Sequence, residues 1–510
     1  MVRPGRQRAF PQRSDTAVLI LAAVASDADA TTATTAARPA HLYDQVFGVG
    51  LAVAALFHLA GNHALLDGTD RPALLVAVQG SVGAAAIAVL VSRRRAAVVL
   101  LAALIPASAW AEAPAVGNHW VLAAASSLTY LVAAAAHHLR RPAVPEPDRT
   151  AIPALRLVLL AAYSFAAFAK LNSGFFDPTT SCAVLYQDQL VSSWGLQALS
   201  VQGDDVLSRI VPVAAALTEL SVPALLLVRR TRPWGVLLAM TFHWSLALDL
   251  EQHFWDFTSV LFVLFLLFLD EARLQDLASR AGHLRHKTPG IVRRFFVLVG
   301  LLLALVAAAA GTRGAPRGLR AAGVLAGHLA WWVGGTVTLG LVARSVLASR
   351  KQPVAALRAR PRLLVVLVVP VLVVVNGLTP YLELKTGFGW NMYSNLRTVA
   401  GESNHFLVPR TWDLTGAQRD RVSIISSTDP ALTVRPDYEP VWSEFVEYAA
   451  AHPGERVTYR RHGQVFSAPD LSEDPATLER PGQLAYRLQS FRAVDVSGSE
   501  RCLDTFGPAR

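Results

Sequence analysis

The chain has 510 residues, of which 53% are hydrophobic and 16% charged, and its formal net charge is +10. These proportions are too apolar and too poor in charge for an ordinary soluble protein. Apolar blocks near membrane-spanning length recur along the chain, which predicts an all-α polytopic membrane protein in a lipid bilayer. Basic residues cluster between the blocks, as topology determinants do, so the charge does not indicate a nucleic-acid partner. The sequence has no zinc-type spacing, phosphate-binding glycine loop or G-x-S-x-G motif, and we predict no metal site.

We predict about eleven transmembrane helices from these blocks. They lie near Asp44–Leu66, Ala73–Ser92, Ala96–Glu112, His119–His138, Ala151–Leu171, Ile210–Val228, Trp234–Leu250, Phe254–Leu269, Phe295–Ala310, Ala321–Ala343 and Leu363–Thr379. Arginine clusters follow the even-numbered spans, for example at Arg93–Arg95 and Arg229–Arg232. Cytoplasmic connections carry an excess of lysine and arginine, so the pattern predicts a cytoplasmic N-terminus and an extracytosolic C-terminal region in the cell membrane. The connection at residues 311–320 also carries three arginines and disagrees.

Composition divides the chain into three regions. Residues 1–43 form a basic tail that we expect to be disordered and cytoplasmic, and the alternative is a weak signal peptide over residues 1–30. Residues 44–380 form the transmembrane domain. Residues 381–510 form a small extracytosolic α+β domain of roughly a hundred residues. We predict a helix there at Tyr438–His452 and strands at Val422–Ser426, Ala431–Arg435, Arg456–Arg460, Gly463–Ser467 and Leu484–Val494.

Lys170 ends the fifth apolar block. It is the only lysine before Lys287, in a chain that otherwise uses arginine. An amine can lose its proton when it is desolvated and a guanidinium effectively cannot, so this choice favours acid–base chemistry. The alternative is a lysine that extends to the lipid headgroups. Tyr163 and two alanines share a helical face with Lys170, which leaves room there for another helix or a flat ligand.

Ionisable residues within membrane spans mark functional sites by default. Those that we find are Glu219, His243, His58, His119 and His328. Glu219 and His243, together with Tyr163, are candidates for an intramembrane polar site. A structural hydrogen bond between helices is the alternative for each residue taken alone. The predicted topology puts His119 at the same membrane face as Lys170, where the two could form an acid–base pair.

A third group of candidates follows the last predicted span. Trp390, Asn391, Met392 and Arg397 combine aromatic, amide and guanidinium groups as the chain leaves the membrane. This composition suits a carboxylate held beside an apolar ligand. The alternative is an interfacial aromatic belt, with Arg397 on lipid headgroups.

Cys182 and Cys502 are the only two cysteines. The predicted topology places both outside the cytoplasm, where disulfides persist. The sequence leaves two alternatives for these cysteines. One is a disulfide that joins the C-terminal tail to the loop after Lys170, and the other is a pair of free thiols.

Several of these segments resemble a known family. Phe165–Ser173, which contains Lys170-Leu-Asn172, resembles the Lys-Leu-Asp/Asn segment of vitamin K-dependent gamma-carboxylases and of the broader horizontally transferred transmembrane domain (HTTM) family. Asn118-His119 resembles that family's Asn-His pair, and Phe242-His243 before an apolar run follows its pattern.

Trp390-Asn391-Met392, with Arg397 five residues later, resembles the carboxylase segment that contacts the substrate glutamate. The resemblance spans about residues 43–409. Ala169 and Asn172 depart from it, because the carboxylases have a second lysine and an acid at these places. Their extracytosolic domain, which binds a propeptide, is also much larger.

The resemblance implies a carboxylase that uses a reduced naphthoquinone (menaquinol or vitamin K hydroquinone), with O2 and CO2 as co-substrates. An uncharged Lys170 would take the quinol hydroxyl proton. The oxygenated quinol would remove the γ-proton of a glutamate, and the carbanion would attack CO2. His119, oriented by Asn118, would assist this step. Trp390, Asn391, Met392 and Arg397 would bind the carboxylate of a glutamate-containing peptide or of a small substrate.

A non-catalytic function is the alternative. In that case the chain would be an HTTM-family membrane protein that binds quinone or lipid, or an assembly factor. A transporter is less favoured, because the two halves lack matching helix-breaking segments.

Overall fold

The computed structural model describes residues 40–61, 73–114, 116–139, 147–201, 205–252, 254–287, 317–348, 364–434, 437–478, 482–498 and 501–502. Within these residues, the chain up to Leu378 folds into helices, and strands follow it. The predicted N-terminal tail up to residue 39 and the predicted span Phe295–Ala310 lie outside the described residues.

The helical part is a bundle built from segments rich in alanine, leucine and valine. Its helices are α1 (Ala40–Gly61), α2 (Ala73–Ser92), α3 (Arg95–Glu112), α4 (Asn118–Leu139), α5 (Pro147–Phe168), α6 (Ser173–Phe176), α7 (Cys182–Ser193), α8 (Val206–Leu227), α9 (Arg232–Leu246), α10 (Phe254–Leu266), α11 (Glu271–Lys287), α12 (Arg317–Ala348) and α13 (Val368–Leu378). A helix satisfies its backbone hydrogen bonds internally, which makes it suited to a lipid environment.

Seven of the described helices are long and apolar enough to cross a membrane. They are α1 to α5, α8 and α12, each at the place of a predicted span. This confirms the prediction of a multi-pass helical membrane protein. Three further predicted spans correspond to shorter segments, since α9 has 15 residues, α10 has 13 and the apolar run at Leu364–Leu378 includes α13. The count of eleven and the orientation stay predictions.

The centre of the bundle is α10, which is apolar and buried on nearly all sides. It packs against α1, α9 and α12. Trp255 of α10 meets Phe57 edge-on, with ring centroids 5.4 Å apart. A Cβ at Gly327 of α12 would lie 2.4 Å from the Trp255 ring, so the close approach of these two helices requires a glycine there. A helix that is hydrophobic all round is the expected core of such a bundle.

One end of the bundle collects buried polar side chains, and we call it the polar end. It contains His58 in the last turn of α1, Glu112 at the end of α3, Asn118 at the start of α4, Lys170 just after α5 and Asp256 in the first turn of α10. Consecutive helices therefore alternate in direction, as successive membrane crossings require.

The C-terminal region contains three small antiparallel sheets. They pair β1 (Thr398–Val399) with β2 (Glu402–Ser403), β5 (Val457–Arg461) with both β3 (Ser423–Ser427) and β6 (Gln464–Ala468), and β4 (Tyr438–Glu439) with β7 (Val494–Asp495). Its helices are α14 (Pro430–Thr433), α15 (Trp442–Ala451), α16 (Pro475–Leu478) and α17 (Gln483–Leu488). The apolar face of α15 covers the central sheet, where the rings of Phe445 and Tyr459 lie 5.0 Å apart.

Two of the predicted strands are wrong. At Ala431–Arg435 the chain forms the short helix α14, because the Asp429 side chain accepts a hydrogen bond from the Ala431 N–H and a proline occupies the first helical turn. Within Leu484–Val494 the chain begins as α17, and only the last residue belongs to a strand. Alternating apolar residues alone do not distinguish a short helix from a strand.

The segment after α13 returns to the polar end, and we call residues 379–411 the return segment. Its residues 404–406 pair with residues 171–173, through the Ser173 N–H to the Asn404 carbonyl at 3.2 Å and the Phe406 N–H to the Leu171 carbonyl at 2.9 Å. Six of its non-glycine residues have left-handed backbones, with φ between 48° and 57°: Glu383, Phe388, Trp390, Tyr393, Asn395 and Ala400. Such conformations persist only where surrounding contacts hold them.

Glu383 supplies many of those contacts. Its buried carboxylate accepts hydrogen bonds from the backbone N–H groups of Ala400 (2.9 Å) and Gly401 (2.7 Å) and from the side chains of Thr411 and Gln418. One carboxylate therefore connects the beginning of the return segment to its end.

Cys182 and Cys502 form a disulfide. Cys182 begins α7, shortly after Lys170, and the backbone N–H of Cys502 also bonds to the Thr180 carbonyl, at 3.0 Å. The bond fixes the last described residues of the chain to the polar end.

We expect Glu383→Ala to destabilise the return segment by about 2–4 kcal/mol, because it leaves the buried Gln418 amide and three partly buried donors without their acceptor. Limited proteolysis of the native protein should then cut this segment at least about tenfold faster. In Glu473→Ala, which removes an exposed carboxylate, the protease should cut the return segment at the wild-type rate. Equal rates for Glu383→Ala and the wild type would contradict this account.

For the disulfide, we expect no maleimide labelling of the denatured wild type before reduction and two labelled thiols after it. Cys182→Ser should expose one labelled thiol without reductant. Since the bond joins residues that are 320 positions apart, its loss should also cost about 2–5 kcal/mol of stability. Labelling of both thiols in the unreduced wild type would show that the bond does not form.

Candidate functional site

Lys170 is a buried cation paired with a buried acid. Its Nζ lies 2.9 Å from Oε2 of Glu219, which comes from the middle of α8. Both residues are less than a tenth exposed. The Lys170 ammonium also faces the carbonyl oxygens of Ala166 (3.2 Å) and Met392 (3.4 Å). Instead of an isolated amine, the structure therefore contains an ion pair supported by two backbone dipoles.

Asn172 fixes the position of Lys170. Its side-chain amide donates to the carbonyl oxygens of Ala169 (2.7 Å) and Ser394 (2.6 Å), and its oxygen accepts from the Phe175 N–H at 2.9 Å. It thus caps α6 and connects the end of α5 to the return segment. An aspartate in this place could accept but not donate, so the asparagine that departs from the carboxylase pattern suits its surroundings here.

A cavity of about 350 Å³ opens beside the Lys170–Glu219 pair. Its walls are mostly apolar and aromatic, and come from α5, α7, α8, α9, α10 and the return segment. The apolar lining includes Leu159, Ala162, Ala166, Leu190, Phe242, Phe254, Phe257 and Leu261. We call this space the Lys170 cavity.

A second polar pair lines the same cavity. The Tyr163 hydroxyl lies 3.1 Å from Nε2 of His243. His243 Nδ1 is buried and has no hydrogen-bond partner within the described ranges. The predicted polar group of Tyr163, Glu219 and His243 is therefore brought to one cavity together with Lys170, and one of its polar atoms is left for a ligand.

Trp390 and Met392 also line the Lys170 cavity. Trp390 is fully buried, its indole N–H donates to the Val373 carbonyl at 2.8 Å, and its backbone N–H donates to Oδ1 of Asn118 at 3.3 Å. Asn118 therefore contacts the return segment, and its role in orienting His119 stays a prediction.

His119 does not pair with Lys170. Its Nε2 lies 2.9 Å from Oδ2 of Asp256 and 3.2 Å from Nδ1 of His58. The predicted acid–base pair of His119 and Lys170 is wrong, because each side chain has a carboxylate partner from a different helix.

Arg397 and Asn391 lie away from the Lys170 cavity. Arg397 lines a smaller pocket of about 50 Å³ together with Arg492 and Arg501. The Asn391 side chain instead donates to the Thr386 carbonyl at 2.9 Å.

Burial lowers the pKa of Arg492 to about 10, which still leaves it cationic at neutral pH. We call the smaller pocket the arginine pocket; it shares Cys182 and Tyr393 with the Lys170 cavity.

Two acids of the polar end were not predicted from the sequence. Asp256 opens the apolar helix α10 and Glu112 ends α3, so the search for charges within spans could have found both. Glu112 contacts Nε2 of His58 at 3.3 Å and accepts hydrogen bonds from Gln79 (2.9 Å) and Ser108 (2.8 Å). His58, His119 and Asp256 are also placed so that they could hold a metal ion.

No family model, curated protein or solved structure matches this chain. The resemblance to the gamma-carboxylases therefore stays a prediction.

The Lys170–Glu219 pair gives a stability test. Lys170→Met should cost about 3–5 kcal/mol, because it leaves a buried carboxylate without its cation, and Glu219→Leu should cost a similar amount. The double variant should be more stable than either single variant. Unfolding monitored by tryptophan fluorescence in detergent measures all three. Arg280→Met, which breaks the partly exposed pair with Asp276, should cost less than about 1 kcal/mol. Additive losses in the double variant would show that the two side chains do not interact.

Proposed function

We propose that this chain is a membrane enzyme of the gamma-carboxylase type, which binds a reduced naphthoquinone in the Lys170 cavity and takes a proton from its hydroxyl group. The observation that carries the proposal is the ion pair of Lys170 and Glu219 at the wall of an apolar cavity, within a membrane-spanning bundle. Buried ionisable groups within a membrane-spanning bundle, beside a cleft with convergent polar groups, are typical of functional sites.

The lining suits a naphthoquinone. A volume of about 350 Å³ lies within the usual range of small-molecule sites. Alanines at 162 and 166 leave a flat space beside Phe257, where an aromatic ring system can pack. The oxygen substituents of such a ring need polar partners, and Lys170, Tyr163 and the unpaired Nδ1 of His243 are available at the walls.

When bound, the quinol would supply the electrons that reduce O2. It would also supply a base strong enough to remove the γ-proton of a glutamate, and the glutamate carbanion would then add to CO2. The chain's own part is the first proton transfer. In this proposal Glu219 accepts the hydroxyl proton, and the Lys170 ammonium stays beside the negative charge that forms. This assigns the base to the carboxylate and the electrostatic role to the lysine, because the two are already in contact.

The acceptor carboxylate would bind in the arginine pocket. Arg397, Arg492 and Arg501 line it, and a carboxylate is the group that arginines bind best. Tyr393 and the disulfide at Cys182 separate this pocket from the Lys170 cavity. A glutamate-containing peptide or a small carboxylate would therefore approach the quinol site from the C-terminal region. Trp390 and Met392 would contact the quinol instead of the carboxylate.

The polar end would face the outside of the cell membrane. The basic connections after the even-numbered spans support this orientation, and so does the disulfide, since such bonds persist in oxidising compartments. The N-terminus would then be cytoplasmic and the C-terminal region extracytosolic.

The second candidate is a non-catalytic protein that binds quinone or lipid. The observation that favours it is the mostly apolar lining of the cavity. In that case the Lys170–Glu219 pair would only orient the ligand.

Purified protein in nanodiscs, supplied with menaquinol, O2, labelled bicarbonate and a glutamate peptide, tests the two candidates. We expect the wild type to form quinone epoxide. Lys170→Ala and Glu219→Gln should lower its rate by about 10²-fold or more, as loss of a proton-transfer group does. Lys385→Ala, which removes a lysine outside the cavity, should leave it unchanged.

A parallel titration of tryptophan fluorescence with menaquinol measures binding. Binding without epoxide formation would overturn the enzymatic proposal in favour of the binding protein. Absence of both binding and epoxide would overturn the enzyme and the quinone-binding form of the second candidate.

A further inference from the structure

A second cluster of polar side chains lies near the Lys170 cavity. It consists of His58 from the last turn of α1, His119 from the first turn of α4 and Asp256 from the first turn of α10. His58 and Asp256 are buried, and His119 is partly exposed. Phe257 separates the cluster from the cavity, since its ring lies against both His119 and His243. The proposed quinol chemistry does not use this cluster.

The three side chains direct one atom each to a common point. His119 Nε2 lies 2.9 Å from Asp256 Oδ2, His58 Nδ1 lies 3.3 Å from the same oxygen, and the two ring nitrogens are 3.2 Å apart. Ligands at 2.0–2.2 Å from a zinc-sized ion are themselves about 2.8–3.6 Å apart in octahedral or tetrahedral geometry. The triangle of donor atoms therefore has the dimensions of one face of a metal coordination shell.

Hydrogen bonds alone explain this triangle poorly. His58 Nδ1 and His119 Nε2 can each carry a proton and donate it to Asp256 Oδ2. Both N–H groups would then point at the same oxygen, although their nitrogens are only 3.2 Å apart. A cation at the centre instead uses a lone pair of every one of the three atoms.

The surroundings of His58 match those of a metal-bound imidazole. Its other nitrogen, Nε2, lies 3.3 Å from Glu112, and Glu112 is fixed by Gln79 and Ser108. A proton on Nε2 that bonds to Glu112 leaves the Nδ1 lone pair for a metal. Metal-bound histidines almost always have such a carboxylate or carbonyl partner. The ring of Trp120 stacks on His58 with centroids 3.8 Å apart, which sets the plane of the imidazole.

Asp256 adds an independent observation. Its other oxygen, Oδ1, is buried and has no hydrogen-bond partner in the part of the chain that the structure describes. A buried carboxylate oxygen without a partner is costly, and coordination of a cation by the carboxylate would offset this cost.

We propose that His58, His119 and Asp256 bind a divalent first-row transition-metal ion. Two imidazoles and one carboxylate with open positions form a ligand set typical of catalytic zinc and of non-haem iron(II). The partly exposed His119 marks the side from which the ion, and a water or substrate bound to it, would enter. His119 would then be a metal ligand and not a general base.

The metal content of the full-length protein tests the proposal, without any quinol. The protein is purified with a tag that contains no histidine, loaded anaerobically with Zn²⁺ or Fe²⁺, passed over a chelating resin and analysed by mass spectrometry of the metals. We expect about one ion per chain in the wild type. Asp256→Asn and His119→Gln should each retain less than a tenth of it. His328→Gln removes a buried membrane histidine whose ring nitrogens face backbone carbonyls, and should retain all of it.

Two further measurements test metal binding without removing a ligand, in case the variants fold poorly. Co²⁺ added to the metal-free wild type should produce the visible absorption bands of a cobalt–histidine site, and Zn²⁺ should abolish them. Glu112→Gln, which leaves all three ligands in place, should weaken zinc affinity by about 10–100-fold. Metal content well below one ion per chain and no cobalt spectrum in the folded wild type would overturn the proposal. Equal retention by wild type and Asp256→Asn would overturn it as well.

Discussion

The contact between Lys170 and Glu219 is the interaction on which the rest of the site depends. Two charges that leave water for an apolar bundle each lose several kcal/mol of solvation, and only close mutual contact compensates for the loss. The pair therefore fixes where α5 and α8 meet, because separation of the helices would leave both charges unpaired. The Lys170 cavity exists beside this contact, since neighbouring walls cannot close further without displacing it.

The return segment completes the surroundings of Lys170 and of the Lys170 cavity. It supplies the Met392 carbonyl to Lys170, the Trp390 ring to the cavity and the Ser394 carbonyl to Asn172. Its left-handed residues are unfavourable in isolation, so their geometry depends on the buried carboxylate of Glu383 and on pairing with residues 171–173. The C-terminal region is thus part of the membrane site and not an appendage to it.

The sequence predicted the apolar helices and the polar group of Tyr163, Glu219 and His243, but not which side chains pair across the bundle. Seven helices followed from apolar run length, and a single lysine among arginines made Lys170 a candidate. The partners did not follow, because Glu219, Asp256 and Glu112 come from helices whose packing no spacing reveals. The same holds for His58 and His119, which lack the short ligand spacing of sequential zinc motifs. Asp256 could have been found in the sequence as a charge in an apolar helix, but its contact with two histidines could not.

The disulfide has a consequence for biosynthesis. Its two cysteines are 320 positions apart, so Cys182 emerges on the order of tens of seconds before its partner is synthesised. In an oxidising compartment, the early thiol is open throughout this interval to pairing with another chain. The polar end is completed only after Cys502 has been synthesised. Chains that stop before Cys502 would therefore leave a reactive thiol beside the cavity.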